Sequence, residues 1–473
     1  MQMNLKEPNK AFIKEYGVFL KDYLFPVLGI ANTGSLYEDV YPTWVEDTII
    51  QSYGKISFGI KWWHLLEVEC QQWISEDNIR LAKEILDCFF KTSKYKRTGS
   101  AKNQTGFSEA QYCEIYRMAV QRGICKWLIG GRDYPCAEEL FSKLEKWSVK
   151  TYEGKKVTFG FVINPDVLSN AEEKVDLGNW LDFMEEDHAA LLTDCIHSVI
   201  ELDGNCDFYR YLSISSEDCI PQTSLSEKVP LRFTQVILKY VTGKRIGIFL
   251  LNNGDIVLAK HESVCFVRRN LRWLNLSYEA FRNSLEGFAK KSPDISDQLY
   301  KSIFASVLDV SFSHAGGIIA VVGGGKWEQS VGDKKILNPC DNLLNGADNE
   351  TLRQAYLKDE SGCVQEELER HSKEIRKRLH KRTMMKKLTG GKVFQKLDRK
   401  LRGELIAMDG ACILNHAGEV YSFGAIIQND SGSTGGGRGA AAKKLSTYGM
   451  AVKISTDGYI ELYVDGEERY AIK

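Results

Sequence analysis

The hydrophobic period of the chain changes from 3.6 to 2 near residue 150, and then mixes the two. In "SEDNIRLAKEILDCFFK", residues 75–91, the apolar positions Ile79, Ile85, Leu86, Phe89 and Phe90 recur near a period of 3.6 and predict an amphipathic helix. A second helix is predicted in "SEAQYCEIYRMAVQRGICKWLIGG", residues 108–131. There Ser108 and Gln111 have capping-box spacing, and Gly130-Gly131 supply a stop. Residues 1–150 are thus read as mainly helical. They hold six of the nine tryptophans, which on helical faces read as core.

From about residue 151 the pattern suits strands. "KKVTFGFVIN" and "RIGIFLLNNGDIVLAKH" alternate or run apolar over strand lengths, and Asn253-Gly254 is a hairpin signal. A β-rich domain over 151–288 is the expectation. "KSPDISDQLYKSIFASVLDVSF" then predicts a helix starting near Ser292-Pro293, with Leu299, Ile303, Val307 and Val310 on one face. It leads into "GGIIAVVGGG", a short buried strand. The strands 317–322, 411–415 and 450–455 are expected in one sheet of a third domain, 289–473. The fold class is therefore α/β at the C-terminus, preceded by the β-rich and mainly helical regions.

Charge changes this picture only locally. Lysine plus arginine number 62 against 63 acidic residues, so the whole chain has no long-range preference for polyanions. Inside an expected charged insertion, 323–400, the stretch 370–400 carries 13 lysines and arginines against Glu374 and Asp398 alone. A solvated helix or an electrostatic contact with phosphate would each explain it. No run of 18 apolar residues and no signal peptide is seen, which predicts a cytoplasmic protein without membrane contact. The 12 cysteines are scattered without a C-x-x-C pair, so neither a zinc site nor a disulfide scaffold is indicated.

Candidate chemistry lies in "DGACILNHAGEVYSFGAIIQNDSGSTGGGRGAAAKKLS", residues 409–446. The run Gly435-Gly436-Gly437 passes at once into Arg438, Gly439 and three alanines, which favour helix. A strand, a glycine turn and a helix start would let backbone amides meet an oxyanion, with Arg438 as a permanent planar cation beside them. The P-loop and Rossmann spacings are both absent. In "ELIAMDGACIL", Asp409 stands among apolar residues just before Gly410; Asp-Gly is also a common turn pair.

These residues carry a family resemblance. The C-terminal third resembles the diadenylate cyclase domain of DisA-type proteins, which condenses two ATP into cyclic di-AMP. The family order is an amphipathic helix, an apolar strand, a D-G-A element with its strand, an A-G-A strand, G-T-R-H-R-A-A, then S-E-E-T-G. It is matched by "SIFASVLDVSFSHAGGIIAVV", "MDGACILNHAGEVYSFGAII", "GGRGAAAKKLS" and "KISTDGYIELYVDGEERYAI". The resemblance implies a mixed-sheet nucleotide-binding domain, with the middle region as a companion sensor half. It implies nucleotide contacts at Asp409, Gly410, Ala411, Gly435, Gly436, Gly437, Arg438, Ser455 and Asp457, and in an active enzyme a catalytic Asp409 holding Mg²⁺ or Mn²⁺. The departures are specific. G-T-R-H-R becomes Gly436, Gly437, Arg438, Gly439, Ala440, so one arginine survives while the threonine, histidine and second arginine do not. S-E-E-T-G becomes Ser455, Thr456, Asp457, Gly458.

Three functions follow as expectations. One is a divergent nucleotide-binding sensor of ATP or a cyclic dinucleotide, working as a homo-oligomer. A second is an active diadenylate cyclase. The third is a nucleic-acid-associated protein using 370–400.

Overall fold

The computed structural model describes residues 8–30, 36–42, 49–52, 54–60, 63–69, 74–92, 109–128, 135–152, 155–167, 198–213, 240–251, 253–261, 263–276, 278–325, 327, 329, 336–337, 377, 380–428 and 436–472. These belong to two compact units, one built from residues up to Ser284, the other from Leu285–Ala471. Ser108, Gly130, Gly131, Gly435 and most of the insertion 323–400 lie outside the described residues.

The first unit opens with α1 (Lys10–Phe19), where the Asn9 side chain accepts the Phe12 amide as an N-cap. A π-helical turn at Leu20–Leu24 and α2 (Phe25–Leu28) follow. Four strands come next: β1 (Leu36–Pro42), β2 (Ile49–Ser52), β3 (Lys55–Ile60) and β4 (Trp63–Glu69). They pair antiparallel in the order β1-β4-β3-β2. This sheet corrects the mainly helical expectation for residues 1–150. Strands of four to seven residues repeat a period of 2 too few times to stand out beside the longer helices. The expected helices are present as α3 (Glu76–Thr92) and α4 (Glu109–Leu128), followed by α5 (Pro135–Ser148). Gly123 allows α4 to cross α3 closely, since a β-carbon there would stand 2.5 Å from Cα of Ile85.

After a small hairpin of β5 (Thr151–Tyr152) and β6 (Lys155–Lys156), a seven-stranded sheet is formed. It uses β7 (Phe159–Ile163), β8 (Ser198–Leu202), β9 (Phe208–Ser213), β10 (Ile246–Leu250), β11 (Ile256–Lys260), β12 (Ser263–Arg269) and β13 (Arg272–Asn275). The order is β13-β12-β11-β10-β7-β8-β9, and β7 with β8 is the parallel pair. Every residue of β7 and β10 is buried, which explains their continuous apolar runs. Asn253-Gly254 turns the chain between β10 and β11, Gly254 at φ 90°. The helices and this sheet share one hydrophobic core that runs from Phe12 to Trp273, rather than two cores parted at residue 150. Trp127 meets Phe266, Phe141 meets Trp273 and Trp147 meets Phe159 at ring distances of 5.7, 5.2 and 5.7 Å. α6 (Tyr278–Ser284) ends this unit.

The second unit begins with α7 (Glu286–Lys291) and α8 (Asp297–Phe312). Ser296, not Ser292, caps α8 by accepting the Leu299 amide at 3.2 Å, so the helix starts a turn later than the proline suggests. Leu299, Ile303, Val307 and Val310 are all buried, as their spacing requires. The sheet comprises β14 (Gly317–Val322), β15 (Ala411–Leu414), β16 (Val420–Ala425), β17 (Gly449–Ile454), β18 (Ile460–Val464) and β19 (Glu467–Ile472), in the order β16-β15-β14-β17-β18-β19. The three expected strands stand side by side at its centre. α9 (Arg399–Ala407) and α10 (Gly436–Ser446) cover opposite faces. Gly317 has no room for a side chain because the Ile406 carbonyl of α9 lies there, whereas Ile318 and Ala320 pack with Ala441, Ala442 and Leu445 of α10. Arg399 of α9 clasps Asp309 of α8 with two hydrogen bonds of 2.6 and 2.9 Å.

The basic stretch is not wholly solvated. Its described part forms a helix over 380–389 and a 3₁₀ turn at Phe394–Lys396. Met385, Thr389, Phe394 and Leu397 are buried between exposed lysines. Apolar residues interspersed in the charge run anchor it, which a count of charges does not reveal.

Candidate functional site

Strand direction brings several chain segments to one edge of the C-terminal sheet. β14 and β15 run parallel with Ile319 opposite Cys412, so Gly317 stands level with Gly410. β16 returns antiparallel with Ala425 opposite Ala411, and β17 ends with Ile454 opposite Gly317. The starts of β14 and β15 therefore share an edge with the ends of β16 and β17. α10 is followed by β17, whose first residue Gly449 pairs with Val322 at the other edge. The N-terminus of α10 consequently belongs to the Gly317 edge.

Arg438 is the clearest feature there. A β-carbon at Gly316 would overlap the Arg438 guanidinium, with Cζ 2.9 Å away and a methyl of Thr456 at 3.3 Å. The planar cation thus lies on bare backbone beside the turn that ends β17. Arg438 is exposed, in the first turn of α10, a turn that holds no acidic residue. A cation at a helix N-terminus opposes the macrodipole. Among the described residues no ion pair of Arg438 offsets this, whereas an anion at the edge would. Gly436 takes φ 77°, and it and Gly437 are exposed where the first amides of α10 point outward.

Asp409 is exposed between α9 and β15. Its carbonyl oxygen is 3.1 Å from the β-carbon position of Gly424, and a β-carbon on Gly410 would lie 2.5 Å from the Gly424 carbonyl carbon. With Gly410 at φ 104° and Gly424 at φ 54°, two glycines allow the Asp409 loop to rest on the end of β16. Ala411 is fully buried and serves the core rather than a surface contact. Ser455 also shapes its own turn, because its Oγ accepts the Tyr459 amide at 3.1 Å and its carbonyl accepts the Gly458 amide at 2.9 Å. Asp457 is exposed on this turn, which is tied to α8 by a hydrogen bond from Ser311 Oγ to the Gly458 carbonyl. The edge therefore gathers Asp409, Gly410, Gly436, Gly437, Arg438 and the Ser455–Asp457 turn.

Other participants were not legible as such. Gly316 reads as part of an apolar strand, yet it is the seat of Arg438. Lys381 reads as one lysine in a basic run, yet its Nζ donates to the Gly424 carbonyl at 3.2 Å beside the Asp409 loop. On the α10 face, Lys453 Nζ and Tyr463 Oη both donate to Glu461 Oε2, at 2.9 and 2.7 Å. Burial, then the Glu461 contact, pushes the Tyr463 hydroxyl far up, so it stays protonated. The only hint in the sequence is that Lys453 and Glu461 are cross-strand partners in a hairpin.

Among the described residues there is no group of three or more histidine, cysteine or acidic side chains able to hold a metal ion. Asp409 offers one carboxylate to Mg²⁺ or Mn²⁺. One carboxylate fits a divalent ion that arrives with phosphate oxygens and water as its other ligands. No protein-family model matches the chain, and no curated protein matches its sequence.

Proposed function

We propose that the C-terminal unit binds an adenine nucleotide, ATP or a cyclic dinucleotide, at the Gly317 edge of its sheet, and that the protein is a nucleotide sensor. The observation that carries this reading is the placement of Arg438, a cation held on glycine backbone at a helix N-terminus among outward-pointing amides. An oxyanion satisfies the guanidinium, the amides and the dipole together. The preference for phosphate rests on this chemistry, and the choice of adenine on the resemblance to diadenylate cyclases. A divalent ion bound with the phosphates would neutralise part of their charge, and Asp409 would hold it.

Sensing is favoured over turnover by what is missing. Positions that carry threonine, histidine and a second arginine in the family are Gly437, Gly439 and Ala440 here. Each absent charge-assisted contact withholds roughly 1.5–3 kcal/mol from a bound triphosphate. Such losses leave room for binding through backbone amides, but they strip the positioning on which phosphoryl chemistry depends.

Isothermal titration of the full chain with ATP and cyclic di-AMP, followed by chromatography of an overnight incubation with ATP and Mn²⁺, tests the proposal. Saturable binding without cyclic di-AMP formation is expected. Product formation would establish the cyclase instead, and binding of nucleic acid alone would favour the basic segment as the functional surface.

A further inference from the structure

We propose that Lys381 is a phosphate-binding residue of the same edge, supplied by the basic segment in place of the cations that the glycine run lacks. This rests on the nucleotide reading above.

The basic stretch carries many lysines, but Lys381 is held in a particular place. Its ammonium lies 5.4 Å from the centroid of the Phe423 ring and donates to the carbonyl of Gly424 at 3.2 Å. Gly424 is the residue on which the Asp409-Gly410 loop rests. The helix over 380–389 is anchored by Met385 and Thr389, so Lys381 is not a loose surface charge. In the sheet order, Gly424 on β16 and the start of β14 at Gly317 are separated by β15 alone. That is two strand spacings, or about 10 Å. Lys381 and Arg438 thus stand at the two sides of the Asp409 loop along a single edge, with Arg438 against Gly316.

The chemistry is specific to a polyanion. A nucleotide with several phosphates spreads charge over a length that one arginine cannot cover, and a second cation two strands away meets the far end. Lysine serves as a point charge for phosphate, without the bidentate geometry of arginine. A merely structural Lys381 would instead hold the 380–389 helix on Phe423 and have no preference among ligands.

The test compares Lys381→Met, which keeps a long apolar stem over Phe423 and removes the charge, with Lys381→Arg, which keeps the charge. Each full-length variant is titrated with ATP and with adenosine, and its melting temperature is recorded. Lys381→Met is expected to weaken ATP binding about tenfold or more, the scale of one charge-assisted contact, and to leave adenosine binding unchanged. Lys381→Arg should restore most of the ATP affinity. If Lys381→Met weakens ATP and adenosine alike, or lowers the melting temperature with no ligand preference, Lys381 is structural and the inference is overturned. If Arg438→Ala weakens ATP binding while Lys381→Met does not, the inference fails and the nucleotide site stands. If the wild-type chain binds neither ligand, both fall together.

Discussion

Arg438 rests on Gly316, and the contact leaves no room for a side chain beneath the guanidinium. Gly316→Ala should therefore push Arg438 off its seat at little cost to the fold, because the displaced group is the end of a flexible side chain. ATP affinity is expected to fall while the melting temperature stays within a few degrees of wild type. Gly317→Ala is the control, since there the obstruction is the Ile406 carbonyl of α9 and backbone must move. Overpacking of this kind costs about 1–3 kcal/mol, to be read from denaturant midpoints.

Asp255 and Arg269 form a buried ion pair, with Arg269 Nη2 donating to Asp255 Oδ2 at 2.6 Å and both side chains almost fully enclosed. Asp255→Ala would take the carboxylate away from a buried guanidinium in the first unit. A loss of roughly 3–5 kcal/mol is expected in urea unfolding. Asp255→Ala melting like wild type would mean that the pair is open to water.

His64 is buried on β4, stacked on Tyr41 with ring centroids 4.4 Å apart, and burial pulls its pKa below the ordinary histidine value. The unfolded chain then takes up the proton first as pH falls. The stability contributed by neutral His64 is complete above about pH 6.5 and declines below it. Asp39 and Glu67 act in the opposite direction and limit the effect. His64→Phe keeps a ring for Tyr41, and its urea midpoint should drop less than that of wild type between pH 7.5 and 5.5.

Burial pushes the Cys412 thiol up to about 12 and that of Cys265 up to about 11. Both are then almost entirely protonated at pH 8, where a thiolate is needed for alkylation. Iodoacetamide should label them only after unfolding, as peptide mass spectrometry of native and urea-treated protein would show.

How much of this was legible depended on the reach of the interaction. The buried face of α8 through Leu299, Ile303, Val307 and Val310 follows from spacing, and the Asn253-Gly254 hairpin follows from turn chemistry. A helix starting inside the glycine run was readable because Ala440, Ala441 and Ala442 are strong helix formers. The sheet of β1–β4 was not, since its strands are brief, and Ser292 misled because the later Ser296 makes the capping bond. At the site, Asp409 and Arg438 could be picked out as a carboxylate and a cation without packing reasons. Gly316 and Lys381 could not, because their roles exist only once β14, β16 and α10 have come together at one edge.

Titration of ATP with Mg²⁺ into the wild-type chain, Asp409→Asn and Arg438→Ala tests the central claim most directly. Both residues are exposed, so neither substitution should unfold the protein. Saturable binding by wild type is predicted, with affinity reduced about tenfold or more in Arg438→Ala and with the contribution of Mg²⁺ lost in Asp409→Asn. Wild-type affinity in both variants would contradict the account and leave the glycine run as a connection between β16 and α10.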